Sequence, residues 1–129
     1  KYSPWGAYGN SKLANILFAK ALAKRLPETV TPVSLHPGVI RTSLWRETAA
    51  SGGIGGFLLG RFMADKSIPQ GAATTVWAAV APDVPRGEYL DDCAVASKRS
   101  DQAKDDALAD ALWDLTEARL DAAVAKRGL

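Results

Sequence analysis

Tyr8 and Lys12 stand four residues apart in the sequence. On a helix, that spacing sends both side chains to one face. A phenol ordinarily ionises near pH 10 and exchanges protons poorly at neutrality. An ammonium beside it favours the phenolate and draws that value down. Tyr8 would then serve as a general acid/base for a substrate oxygen. The same ammonium has three donor hydrogens for neighbouring hydroxyls, such as those of a ribose. Alone, the pair says little, because among three tyrosines it arises by chance in about one such chain in six.

A second candidate is Pro37-Gly38-Val39-Ile40-Arg41-Thr42, directly after a predicted strand. In open α/β sheets, ligands bind outside the carboxyl ends of the strands. Proline ends the ladder, glycine lets a backbone approach closely, and the following main-chain groups can bond a planar amide. Thr42 can cap a turn or bond a phosphate or amide. An ordinary strand-to-loop exit would read the same way. His36 has no visible catalytic partner and reads as structural.

These residues need elements to hold them. Ser3-Pro4 reads as an N-cap with proline in the first helical position, so a helix is predicted from Trp5 to Leu26, ended by Pro27. Its middle, Leu13 to Ala23, is apolar on most sides and should be covered on two faces. A strand is predicted over Thr31 to Leu35, a helix over Ser67 to Val80, a second strand over Gly87 to Leu90 and a last helix over Ala103 to Lys126. Leu108, Ala111, Leu112 and Leu115 recur on that last helix at helical spacing. The order suits an α/β layered fold. Two short strands cannot bury both faces of a parallel sheet. The sheet is therefore expected to be incomplete in this chain, with its other strands before Lys1.

Composition narrows the function. Hydrophobic content of 47% and charged content of 23% are those of a globular domain. Sixteen basic and 14 acidic residues are interleaved for a net +2, which leaves nucleic-acid binding without support. One cysteine, Cys93, forbids an internal disulfide and suits a reducing, cytoplasmic setting. With one histidine besides, no metal site is expected. No apolar run reaches the roughly 18 residues of a membrane span.

Together, Tyr8-Gly9-Asn10-Ser11-Lys12-Leu13-Ala14-Asn15 and His36-Pro37-Gly38-Val39-Ile40-Arg41-Thr42 resemble the short-chain dehydrogenase/reductase family. The resemblance is nearer to its retinol-dehydrogenase-like and WW-domain-oxidoreductase-like branch. Pro69-Gln70-Gly71-Ala72-Ala73, Gly87 to Cys93 and Ala111 to Glu117 also look like that branch. By this resemblance, 1–129 is the C-terminal catalytic part of one Rossmann-type, doubly wound parallel-sheet domain, without its N-terminal dinucleotide-binding part. Tyr8 is implied as the acid/base, and Lys12 as the residue that lowers its pKa and holds the nicotinamide ribose. Pro37, Gly38, Val39 and Ile40 would line the nicotinamide, Ile40 through its main chain, and Thr42 would bind the amide or phosphate side. The implied cofactor is NADP(H) or NAD(H), with NADP(H) slightly favoured. A homodimer through the first helix is also implied.

Residues 43–67 sit where the family carries a substrate lid, and their glycines and aromatics suggest a mobile, apolar surface for a lipophilic alcohol or carbonyl. The family's glycine-rich turn and catalytic serine lie upstream of this kind of tyrosine. Gly52-Gly53-Ile54-Gly55-Gly56 lacks the spacing to replace that turn, so these residues alone are expected to be inactive. Two other readings stand beside this one: a non-catalytic binding or regulatory module on the same scaffold, and a self-contained helical interaction domain.

Overall fold

The computed structural model describes residues 2–40 and 66–128. Helix α1 runs Pro4–Arg25. The Ser3 hydroxyl accepts from the Gly6 N–H at 3.3 Å, and Pro4 occupies the first turn, where no N–H is missed. Lys24 and Arg25 lie in the last turn, against the negative end of the helix dipole. Helix α2, Ile68–Val80, begins with a reciprocal capping box between Ser67 and Gln70. A short helix α3, Asp101–Lys104, follows Ser100, and α4 runs Asp106–Arg127 to a left-handed cap at Gly128. The strands are β1, Ser34–His36, β2, Tyr89–Asp91, and β3, Ala94–Val95, in the order β1-β2-β3. This small sheet is partly parallel, and β3 returns antiparallel to β2 with Leu90 opposite Val95 and Asp91 opposite Ala94. Among the described residues, no helix is long and apolar enough to cross a membrane.

The chain divides into two units, one of Lys1–Ser34, Val84–Tyr89 and Ser97–Leu129, the other of Leu35–Asp83 and Leu90–Ala96. In the first, Leu17 and Ala21 of α1 meet Ala109 of α4, with Leu13, Leu108, Leu112 and Trp113 packed around them. Phe18 and Trp113 stack at 5.7 Å between centroids. Burying one such leucine contributes about 1.5–3 kcal/mol. Ion pairs rim the seam: Lys20 with Asp106 at 2.8 Å, Lys24 with Asp110 at 2.8 Å and Arg25 with Asp110 at 3.0 Å. Exposed pairs of this kind contribute little each, so apolar burial sets the packing and the charges fix its register. The Lys20 hydrogen bond, aided by its charge, holds the Asp106 carboxyl below the usual aspartate value, and hydrogen bonds from Lys24 and then Arg25 do the same for Asp110.

The end of α1 is closed from a distance. The Arg86 guanidinium donates to the carbonyls of Ala23, Leu26, Pro27 and Val30, the last two at 2.7 Å. Ala23 and the cap residue Leu26 carry carbonyls that a terminating helix leaves without intrahelical partners, and Pro27 and Val30 lie just beyond. Gly87, at φ +73, brings this stretch against α1, and a Cβ there would lie 3.1 Å from that of Ala23.

In the second unit, Leu90 is fully buried, and the buried Thr74 hydroxyl accepts from the Cys93 N–H at 3.2 Å.

Several sequence expectations need correction. Among the described residues there are three strands, not two, because Asp92 and Cys93 both take left-handed φ, 49° and 57°, and turn the chain back as a two-residue hairpin. Strand β1 starts at Ser34 rather than Thr31. Before it, Pro32 has no N–H for a ladder, and its carbonyl accepts from Gly87 instead. The last helix is broken at Asp105, whose carboxylate accepts from the Leu108 N–H and caps a new helix. On that helix Ala111 and Leu115 are exposed, and Ala109 and Trp113 join Leu108 and Leu112 at the seam.

Candidate active site

Proline at its first turn and a hydroxyl cap start α1 early enough to carry Tyr8 and Lys12 on regular helix. The two side chains do meet: the Lys12 Nζ lies 5.5 Å from the Tyr8 ring centroid, within cation–π range. Trp5 touches the same ring edge-on, at 6.4 Å and 86°. Tyr8 is 57% exposed and Lys12 is exposed, so both are accessible to a ligand. Along its other flank, Lys12 lines a hollow of about 220 Å³ with Tyr89, Lys98 and Arg99. Arg99 is ion-paired with Glu88. Sequence reasoning missed Lys98 and Arg99, since more than 80 residues separate them from Lys12 and no local pattern marks them.

The second unit holds Pro37, Gly38, Val39 and Ile40 immediately after β1. Gly38 takes φ +82, a conformation that side chains rarely adopt. Its N–H donates to Nδ1 of His36 at 2.7 Å. The Lys66 side chain lies where a Gly38 Cβ would be. Lys66 also donates its backbone N–H to the Val39 carbonyl at 3.3 Å, and its ammonium pairs with Asp92. Ile40 forms a parallel bridge with Lys66, and its side chain fills the space above the buried Gly71. The turn is thus tied down at three successive residues. Thr42 lies outside the described residues, as do 43–65 of the expected lid. Of the other lid residues, Lys66 bridges to Ile40 and Ser67 caps α2.

On helix α1, the Tyr8 and Lys12 donors fit the ribose end of a nicotinamide nucleotide. An exposed phenol and ammonium on one helix face suit a substrate oxygen and a ribose diol. In the strand-end turn, the side that a Gly38 Cβ would take is covered by the Lys66 side chain. Among the described residues, no group of three or more His, Cys, Asp or Glu side chains could hold a metal ion.

Neither a family model nor a solved structure matches the chain. Curated relatives do. A short-chain dehydrogenase of Brassica napus, TIC 32 B, chloroplastic, is 44% identical over 123 residues, covering 90% of this chain and 37% of its own length. Retinol dehydrogenase 14 of Mus musculus is 37% identical over 126 residues, or 90% of this chain and 36% of the relative. The WW domain-containing oxidoreductase of Danio rerio is 40% identical over 119 residues, 86% and 27% respectively. The chain thus spans between about a quarter and two fifths of the length of these relatives. These relatives imply a Rossmann-type fold, with which the mixed α/β elements agree. On this similarity, the chain belongs to the short-chain dehydrogenase/reductase family.

Proposed function

We propose that this chain supplies the proton-transferring part of a nicotinamide-dependent oxidoreductase acting on a lipophilic alcohol or carbonyl compound. The carrying observation is the Lys12 ammonium set against the exposed Tyr8 ring on one face of α1. Tyr8 donates its phenolic proton to a carbonyl oxygen in reduction and accepts it back from an alcohol in oxidation. Lys12 stabilises the negative charge that develops on the phenolic oxygen as the proton leaves, and its remaining donors hold a ribose diol. Pro37, Gly38, Val39 and Ile40 line the nicotinamide, Ile40 through its main chain, and Thr42 holds the amide or phosphate side. The nicotinamide cofactor, when bound, supplies or takes up the hydride. Its identity as NADP(H) rather than NAD(H) rests on the family resemblance. The lipophilic substrate class rests on the apolar character of residues 43–67 and on relatives named for retinol.

Titration of the full-length protein with NADPH and NADH, followed by fluorescence, tests this reading. Saturable binding of either supports it, and the tighter of the two identifies the cofactor. A folded protein that binds neither would instead be a non-catalytic module on the same scaffold.

A further inference from the structure

His36 lacks a catalytic partner in the sequence, yet the structure gives it a specific bond. Its Nδ1 accepts the Gly38 N–H at 2.7 Å, reaching across Pro37, which has no N–H of its own. The bond closes a side-chain-to-backbone turn of the kind that asparagine commonly forms two residues ahead of itself. It holds Gly38 at φ +82, a conformation with no strong preference of its own in glycine. We propose that His36 is a positioning residue for the nicotinamide-lining turn, acting through the lone pair of its Nδ1; this rests on the oxidoreductase reading above.

The bond has a chemical condition. Only a ring with an unprotonated Nδ1 can accept, so it requires neutral imidazole carrying its proton on Nε2. Imidazolium offers two donors, and the Gly38 N–H then faces another N–H. Protonation of His36 therefore releases the turn on its His36 side. The other restraints on the turn do not depend on that proton: Lys66 stays over Gly38 and bonds the Val39 carbonyl. Among the described residues around the turn, the charged or titratable groups are Lys66, paired with Asp92, then Asp91 on the neighbouring strand and the Cys93 thiol beside Asp92. Helix α2 carries no charged residue.

Asparagine separates the hydrogen bond from the titration, since its side-chain oxygen can take the place of Nδ1 and does not ionise. In the full-length protein, His36→Asn should keep the affinity of wild type with neutral imidazole for NADPH or NADH, and hold it as the pH is lowered. Wild type should lose affinity as its own imidazole, followed by NMR, takes up a proton, and His36→Ala should bind about fivefold more weakly throughout, as loss of one hydrogen bond implies. A pH titration of the Gly38 backbone amide by NMR reads the bond without cofactor. Its shift should follow the imidazole in wild type and stay flat in His36→Asn. Asparagine as weak as alanine, or a wild-type affinity that ignores pH, overturns the positioning role. A Gly38 amide indifferent to the imidazole overturns the bond itself. A wild-type protein that binds neither nucleotide, while its Gly38 amide still tracks the imidazole, overturns the oxidoreductase reading and leaves His36 a purely structural residue.

Discussion

In the proposed reaction Tyr8 and Lys12 divide one task between them, and the division predicts different defects. In the full-length protein, Tyr8→Phe keeps the ring and removes the proton. Turnover should fall by about two to four orders of magnitude, the usual contribution of general acid–base catalysis, with cofactor affinity nearly unchanged. Steady-state kinetics with a cofactor titration would check this, and retained turnover would remove Tyr8 from the chemistry. Lys12→Ala should damage both quantities, because the same ammonium serves the phenol and the ribose. If the Lys12→Ala protein titrates with cofactor as wild type does, the ribose role is wrong. The spacing of this pair was legible in the sequence because helix geometry alone brings such positions together. The His36 bond was not legible, since it depends on the backbone angle of Gly38, which no residue spacing reports.

At the scale of elements, the starts of helices could be read and their interruptions could not. Ser3-Pro4 and Ser67 with Gln70 are local devices, complete within four residues. Asp105, by contrast, sits inside an unbroken helical pattern, and only its hydrogen bond to Leu108 reveals a boundary. The hairpin at Asp92–Cys93 has no glycine to announce it. Arg86 was equally silent, because its four carbonyl partners lie 56 to 63 residues upstream. Its removal tests how α1 is closed. Arg86→Met keeps much of the aliphatic stem but leaves those carbonyls to water or to nothing. Unfolding in urea should show a loss of about 2–4 kcal/mol, the range for several partly exposed bonds to a charged donor. A loss below about 0.5 kcal/mol, the ordinary surface value, would show the clamp to be ornamental.

At the scale of the whole chain, the first and last long helices are joined by a seam whose partners stand more than 80 residues apart. Its apolar centre is indifferent to pH, but its rim is not. Asp106 and Asp110 are held below the ordinary aspartate value, about 3.9, chiefly by hydrogen bonds from Lys20 and Lys24. A carboxylate lowered on folding contributes stability that is complete above its unfolded value and is lost as pH falls through its folded value. The rim should therefore hold at pH 6 and fade below about pH 4. Thermal melts should show wild type losing more between pH 6 and pH 3 than a double Asp106→Asn, Asp110→Asn variant. Equal losses would place the acid sensitivity elsewhere. The effect should shrink in high salt, as exposed pairs do.

The clamp at the end of α1 also has a meaning in time. A ribosome adds roughly 5–20 residues each second, so Arg86 emerges several seconds after the carbonyls it serves. Until then the last turn of α1 has its own Arg25, on the Ala21 carbonyl, and water to bond, and the nascent helix is freer to fray from that end. The N-terminal half, which carries Tyr8 and Lys12, has its own cap from the start. Biogenesis of this chain thus has a built-in order: the end of the helix that carries Tyr8 and Lys12 is secured as it is made, and its far end only after some 60 further residues have followed.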